Sequence, residues 1–464
     1  MFRSSRKLSY RSSRSLYQKK KPLPRKWILL SIPLVLIGLE LLVRLLVGVS
    51  GKTDELAVFQ GEPLKVSAYR LKYLDRSGKL YDGLSNQGQL TVKQSPVMGY
   101  RLMGNQQQQD WAINEQGFRS DQAIAPDKPK DEVRIFVLGG STAFGQLSST
   151  NQTTFTKQLE DRLNQQVVAQ KENPGKFRPA ILPYFADELD KALALPAQIR
   201  DSRYRVINAA VPGYISGNEL SKLAFDVLSY KPDFIVVLNG YADLLVPSTQ
   251  EGSDIPGTET LLESAPRHLL MGITEQVKTL ISQLFLVKAF QYWVLQPQDA
   301  LKQVVPPVEG DAPLAQRLPT EADELSRRVD RYRQNMQQFA RLTSASKIPL
   351  IVAMQPEITG RDPSQHTPRE KEILNQLGAN YPQQVKAGYS GLQRSLDQVK
   401  KEVPQVTTFN FYNAYADFKG EAFQDAIHLT DAANASLSNR LFDAISKQLQ
   451  LQPKPYGGTE PPAS

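Results

Sequence analysis

The chain holds three histidines and no cysteine in 464 residues. One of the three, His428, closes the run Asp425-Ala-Ile-His428. Imidazole has an ordinary pKa near neutrality, so in a chain without thiols it is the natural general base. A carboxylate three residues ahead suits an orienting role, holding the ring in one tautomer and stabilising the imidazolium that forms when the ring takes a proton. His268 and His366 sit among poorer partners. A His–Asp pair of this kind needs a hydroxyl to deprotonate, and the chemistry it points to is attack by a serine on a carbonyl.

Three earlier runs have the composition of a site. Residues 139–145 read GGSTAFG. The two glycines let the backbone turn sharply, and Ser141 stands at the entrance to a helix where N–H groups can face a developing oxyanion. The same turn could instead cap a helix or cradle an anion, with Ser141 only a cap. A phosphate-binding loop does not fit, because no Gly-Lys-Ser/Thr follows. Residues 208–217 read NAAVPGYISG, in which Pro212-Gly213 makes a turn with a free N–H to offer. Residues 239–243 read NGYAD.

Something must bring these runs together, and the hydrophobic pattern supplies it. Residues 133–138 form a mostly apolar run ending in two glycines, and further β-rich runs lie at 205–209, 234–238, 350–354 and 406–411. Helical spacing links Phe155, Leu159 and Leu163, then Leu220, Leu223, Ala224 and Val227, then Leu325, Val329, Tyr332, Met336 and Phe339, and finally Leu441, Ile445 and Leu449. Strand followed by helix, five times over, predicts an α/β domain: a mostly parallel five-stranded sheet covered on both faces. Ligands bind such sheets at the carboxyl ends of the strands, where every one of the four runs falls.

Net charge is +9, yet residues 1–26 carry ten Lys or Arg and no acid, which leaves the remainder at −1. A body so close to neutral excludes a nucleic-acid groove, and three scattered histidines imply neither a metal nor a cofactor. Residues 27–49 are apolar and long enough to cross a bilayer as a helix. Glu40 and Arg44 interrupt them, but four apart on one face they can pair. The alternative is a cleaved signal peptide, against which stand the length of the run and the lack of a small-x-small cleavage site. The basic tail keeps the N-terminus cytoplasmic and the body outside, in a periplasm or another extracytoplasmic space. Residues 50–131 read as a stalk and lead-in, 132–450 as the main domain with insertions at about 166–203 and 246–320, and 451–464 as a disordered tail. Within the longer insertion, residues 269–295 are dense in large apolar side chains and read as a lid, a membrane-facing helix or a core helix.

The four site motifs, in this order across roughly residues 97–447, resemble the SGNH or GDSL-like hydrolase family, and the segment MGYRLMGN followed by INEQGFRS resembles the lead-in of membrane-anchored bacterial members. The resemblance implies a three-layer α/β/α fold of SGNH, flavodoxin-like type. It assigns Ser141 as nucleophile, His428 as base, Asp425 as its orienting partner, and the N–H groups of Ser141 and Gly213 as oxyanion donors. Where the family has Gly-x-Asn-Asp, this chain reads Gly240-Tyr241-Ala242-Asp243, and alanine has no amide to donate. Asn239, three residues earlier, is then the candidate third donor. Gly140 likewise replaces the aspartate of the family name. The function implied is a membrane-anchored extracytoplasmic serine esterase acting on O-acyl groups of envelope glycans or on lipids. The alternatives are a catalytically impaired glycan-binding or assembly protein and an O-acyltransferase. Substrate and oligomeric state stay open.

Overall fold

The computed structural model describes residues 25–53, 56, 64–81, 88–249, 284–293 and 314–457, with 25–33 and 290–292 as backbone alone. A lead-in sheet comes first, built from β1 (Leu71–Leu74), β2 (Leu90–Ser95) and β3 (Gly99–Leu102), and a two-stranded ladder of β4 (Gln106–Gln107) and β5 (Ala112–Ile113) follows. The main sheet comprises β6 (Glu132–Gly139), β7 (Arg203–Asn208), β8 (Phe234–Asn239), β9 (Leu350–Met354) and β10 (Thr407–Asn410). Its strands are all parallel, in the order β10-β9-β8-β6-β7. Counted along the chain this is the flavodoxin-like 2-1-3-4-5 order, whose direction of winding reverses between the first and third strands. Ligand crevices open at that reversal, so the exits of β6 and β8 are where chemistry is expected.

The sequence predicts these five strands to within about two residues at each end, as is usual for strand boundaries. They are near-continuous apolar runs because helices cover both faces: Phe155–Glu172 packs with Asp431–Gln448 on one side, and Ser216–Phe225, Ala322–Ala345 and Tyr381–Glu402 pack together on the other. Every residue of β6, β8 and β9 is buried.

Several boundaries differ from those the sequence suggests. The described residues of 64–119 do not form a separate stalk. Tyr69, Leu71, Tyr73, Leu90, Val92, Tyr100, Leu102, Trp111 and Phe118 belong to the same buried cluster as the main sheet, because the short strands turn one alternate face onto it. The first insertion starts after Glu172 rather than at 166, since Val167 and Gln170 continue the buried face of the helix Phe155–Glu172. The tail is ordered as far as it is described: Lys454 exchanges backbone hydrogen bonds with Ala180 and Leu182, and the Leu451 N–H donates to Gln198. Residues 458–464, the basic tail to residue 24, and 250–283 and 294–313 of the long insertion lie outside the described residues.

A helix covers Arg25–Val49, the expected span, but among the described residues no helix is long and apolar enough to cross a membrane. Glu40 accepts from Arg44 Nε at 2.9 Å, as the spacing predicts, and also from the N–H groups of Phe285 and Leu286. The described piece of the lid candidate, the helix Phe285–Trp293, thus packs on the first helix instead of covering the sheet.

Candidate active site

The nucleophile candidate is placed by glycines. Gly139 ends β6 at φ +150°, where an added Cβ would come within 2.2 Å of the Leu238 carbonyl oxygen on β8. A Cβ at Gly140 would stand 3.2 Å from the Tyr214 carbonyl oxygen, so the glycine found in place of aspartate admits the neighbouring turn. The chain then makes a single helical turn, Ser141–Phe144, closed by Gly145 at φ +81°, and Ser141 is its half-buried first residue. Carbonyls at the far end of this turn are taken up by Asn208 Nδ2, which donates to Ala143 and Phe144, and by the buried guanidinium of Arg119, which donates to Phe144 and Gly145. Arg119 comes from the lead-in segment; burial lowers its pKa, and tyrosine and carboxylate neighbours, Tyr69 first, oppose that shift.

Asp425 and His428 are both buried, each 1% exposed. Asp425 Oδ2 lies 2.5 Å from His428 Nδ1, and Oδ1 accepts from the N–H groups of Ile427 and His428 at 2.9 and 2.8 Å. Burial works to raise the Asp425 pKa, but His428 and these donors outweigh it and hold the carboxyl below its usual value. An ionised Asp425 makes Nδ1 the protonated nitrogen and leaves Nε2 as a base. Nε2 is buried with no hydrogen-bond partner among the described residues. The two segments meet where Thr142 Oγ1 donates to the Ile427 carbonyl at 3.2 Å, one residue from Ser141 on one side and one from His428 on the other. Gln355 Nε2 donates to the same Thr142 hydroxyl at 2.9 Å.

The loop carrying Asp425 and His428 is held at many points. Glu370 Oε1 accepts from the N–H groups of Ala422 and Phe423 and from Arg361, which in turn donates to the carbonyls of Phe418 and Gly420. Arg361 and Glu370 form a fully buried ion pair. The Ile358 N–H donates to the Ala426 carbonyl at 2.9 Å. Beside Ile358, burial pushes the Glu357 carboxyl up to about 7, even though Thr359 and Tyr381 donate to it.

On the oxyanion side, Val211-Pro212-Gly213-Tyr214 forms a turn closed by the Tyr214 N–H on the Val211 carbonyl at 3.2 Å, and Gly213 has φ +81°. Proline second and a positive-φ glycine third are the signature of a type II turn. The Val211 N–H donates to the Gly139 carbonyl, docking the turn beside Ser141. Among the described residues, the N–H groups of Ser141 and Gly213 enter no hydrogen bond.

Asn239 is not a free donor, because its side chain is engaged. Its amide donates to Glu219 and its carbonyl accepts from Tyr332 at 3.1 Å, all buried between helices behind β8. The physical reason is Glu219, a fully buried carboxyl pushed well above its ordinary range by burial and by Asp243, which claims the nearest amide. Ala242 is half-exposed, a methyl group without a donor. Asp243 turns away to accept from the Ser216 N–H and hydroxyl, anchoring the helix that follows the Gly213 turn. His366 lies elsewhere, 3.4 Å from the Ile358 carbonyl, and His268 is outside the described residues. Thr142, Gln355, Arg119 and Tyr100 carry contacts that sequence reasoning missed, although the last two sit inside the lead-in motif already singled out.

Residues 299–441 match the model of the GDSL-like Lipase/Acylhydrolase family. The match contains Asp425 and His428, whereas Ser141, Gly213 and residues 239–243 lie ahead of it. Solved structures that match this chain include the acetyl xylan esterase AlAXEase (10% identity, TM-score 0.30, 68% of this chain and 100% of that one). Others are the lipase/acylhydrolase from Enterococcus faecalis (14%, 0.30, 69% and 98%) and the psychrotrophic esterase EstA from Pseudoalteromonas sp. (13%, 0.30, 68% and 98%). No curated protein sequence matches this chain significantly.

Proposed function

We propose that this SGNH/GDSL-type domain is a serine esterase, with Ser141 as nucleophile, His428 as general base and Asp425 as the residue that orients His428. Ser141 Oγ attacks the acyl carbonyl while His428 Nε2 takes its proton, and the N–H groups of Ser141 and Gly213 receive the oxyanion. His428 then returns the proton to the leaving alcohol, and water releases the acyl group by the same steps in reverse. The observation that carries this reading is the buried Asp425–His428 pair, whose second imidazole nitrogen has no partner among the described residues and lies one residue from the Thr142–Ile427 bond.

In the same proposal, residues 27–49 anchor the protein in a bilayer with the N-terminus cytoplasmic and the domain periplasmic. O-acyl groups of envelope glycans, or lipids, are then the esters within reach. Ala242 favours a second reading, in which the oxyanion side is too weak for turnover and the domain binds glycan or assists assembly. An O-acyltransferase would use the same residues with a sugar hydroxyl in place of water.

The full-length protein, purified in detergent, is expected to hydrolyse a short-chain aryl ester, and Ser141→Ala is expected to cut kcat by about 10⁴ or more. Hydrolysis that survives the substitution would sink the esterase reading. Absence of hydrolysis by the wild type would favour the binding reading.

A further inference from the structure

Tyr100 lies in the lead-in strand β3, 112 residues before the residue it serves. It is fully buried, and its hydroxyl donates to the Pro212 carbonyl at 2.8 Å. That carbonyl belongs to the peptide unit that also carries the Gly213 N–H. A trans peptide is planar, with its C=O and N–H pointing in opposite directions, so fixing one fixes the other. The turn's own hydrogen bond uses the Tyr214 N–H, which leaves the central peptide free to flip unless something outside the turn holds it. Tyr100 is that something. A hydrogen bond into a carbonyl also polarises the peptide group and makes its N–H a stronger donor.

The grip is reciprocal. Tyr214, on the other side of Gly213, donates its hydroxyl to the Tyr100 carbonyl. The Tyr100 ring is wedged between Tyr73 and Tyr214 in edge-on contacts of 5.3 Å each. Asn218 Nδ2 donates to the Met98 carbonyl at 3.1 Å, tying the helix after the turn to the residue just ahead of that strand. In a site where Ala242 offers no amide, the remaining backbone donors carry more of the oxyanion, and their orientation matters correspondingly more.

We infer that Tyr100 is a positioning residue for the reaction, acting through the Pro212–Gly213 peptide to aim and strengthen the Gly213 N–H toward the oxyanion. The inference rests on the serine-esterase reading and adds to it a role for the segment ahead of the main sheet. The segment that the sequence presents as a lead-in thus completes the site.

The test is Tyr100→Phe in the full-length protein, which removes one oxygen and keeps the ring. Complete loss of an oxyanion donor costs on the order of 10² to 10³ in kcat, so a donor weakened and released is expected to cost about tenfold, with KM unchanged. Labelling of Ser141 by a fluorophosphonate, whose P=O occupies the oxyanion position, is expected to slow by a similar factor. The control is Tyr204→Phe, which deletes an equally buried hydroxyl bonded to the Arg200 carbonyl at 2.9 Å near the amino end of β7. It is expected to leave kcat and labelling unchanged. Equal losses in the two variants, or no loss in Tyr100→Phe, would overturn the inference. Should Tyr100→Phe not fold, 3-fluorotyrosine at position 100 keeps the bond and makes the hydroxyl a stronger donor. kcat is then expected to rise, and an unchanged kcat would overturn the proposal. A wild type that does not label at Ser141 overturns the esterase reading and this inference together. A labelled wild type with an equally labelled Tyr100→Phe overturns this inference alone.

Discussion

The loop that carries Asp425 and His428 and the run from Asn239 to Asp243 fall on opposite sides of the proposed serine mechanism, and they are built by opposite means. Side chains hold the first: Arg361 and Glu370 fasten residues 418–423, Asp425 collects two backbone N–H groups and the imidazole, and Ile358 pins Ala426. The second turns its polar side chains inward, Asn239 to Glu219 and Asp243 to Ser216, and leaves Ala242 a half-exposed methyl group. In the proposed mechanism the proton relay is therefore fixed by redundancy, while the oxyanion side depends on backbone N–H groups and on whatever aims them. A relay fails when one carboxylate is lost; a backbone hole degrades by orientation.

Asp425→Asn attacks the redundant side at its centre. An amide there favours the wrong imidazole tautomer, and kcat is expected to fall by about 10⁴ with the fold intact, read from steady-state kinetics beside the circular dichroism spectrum. A fall of less than tenfold would mean that the many bonds to this loop serve stability alone.

Glu357 joins the two regions. Its carboxyl accepts from Tyr381, which shares a hydrogen bond of 2.7 Å with Tyr241 of the oxyanion run, and the next residue bonds to Ala426. Its pKa is raised from 4.5 to about 7. Between those values the unfolded chain gives up a proton that the folded protein keeps, so stability falls as pH rises and levels off above about 7. The loss across that window amounts to roughly 3 kcal/mol. Asp425, whose pKa is depressed, contributes stability that is lost only as pH falls below the ordinary carboxylate range, outside this window. Glu357→Gln is expected to reduce the slope, measured as urea unfolding free energy at pH values from 4.5 to 7.5; Glu219, also raised by burial, contributes to it as well. A variant with the wild-type slope would assign the titration to another group.

Ala242→Asn probes the weaker side directly. Restoring an amide at the family's position is expected to raise kcat about tenfold, less than the full value of a preorganised donor because the neighbouring packing has not adapted to it. An unchanged kcat would mean that backbone donors already fill the hole.

The features legible in the sequence share one property, which is that local pattern encodes them. The five strands stand out because a parallel sheet covered on both faces needs unbroken apolar runs. Ser141, Gly213 and the Asp425–His428 pair stand out because sharp turns and short spacings constrain residue type. The rest depends on contacts between distant segments. Nothing near Tyr100 reveals that its hydroxyl reaches Pro212, nor anything near Thr142 that it meets Ile427, 285 residues on. Asn239 looked available because its partner, Glu219, lies 20 residues earlier on a helix and reads as an ordinary surface acid. Residues 50–96 read as a stalk because strands of four to six residues are too short to announce which sheet they cover.

The central claim is that Ser141 is a nucleophile activated by His428, and the direct measurement is intact-protein mass after exposure of the full-length chain to a fluorophosphonate, with peptide mapping of the adduct. The account predicts a single adduct on Ser141 in the wild type and none in Ser141→Ala, with labelling slowed by a factor of about 10³ or more in His428→Ala. A wild type that stays unlabelled, or an adduct at any other serine, would contradict it.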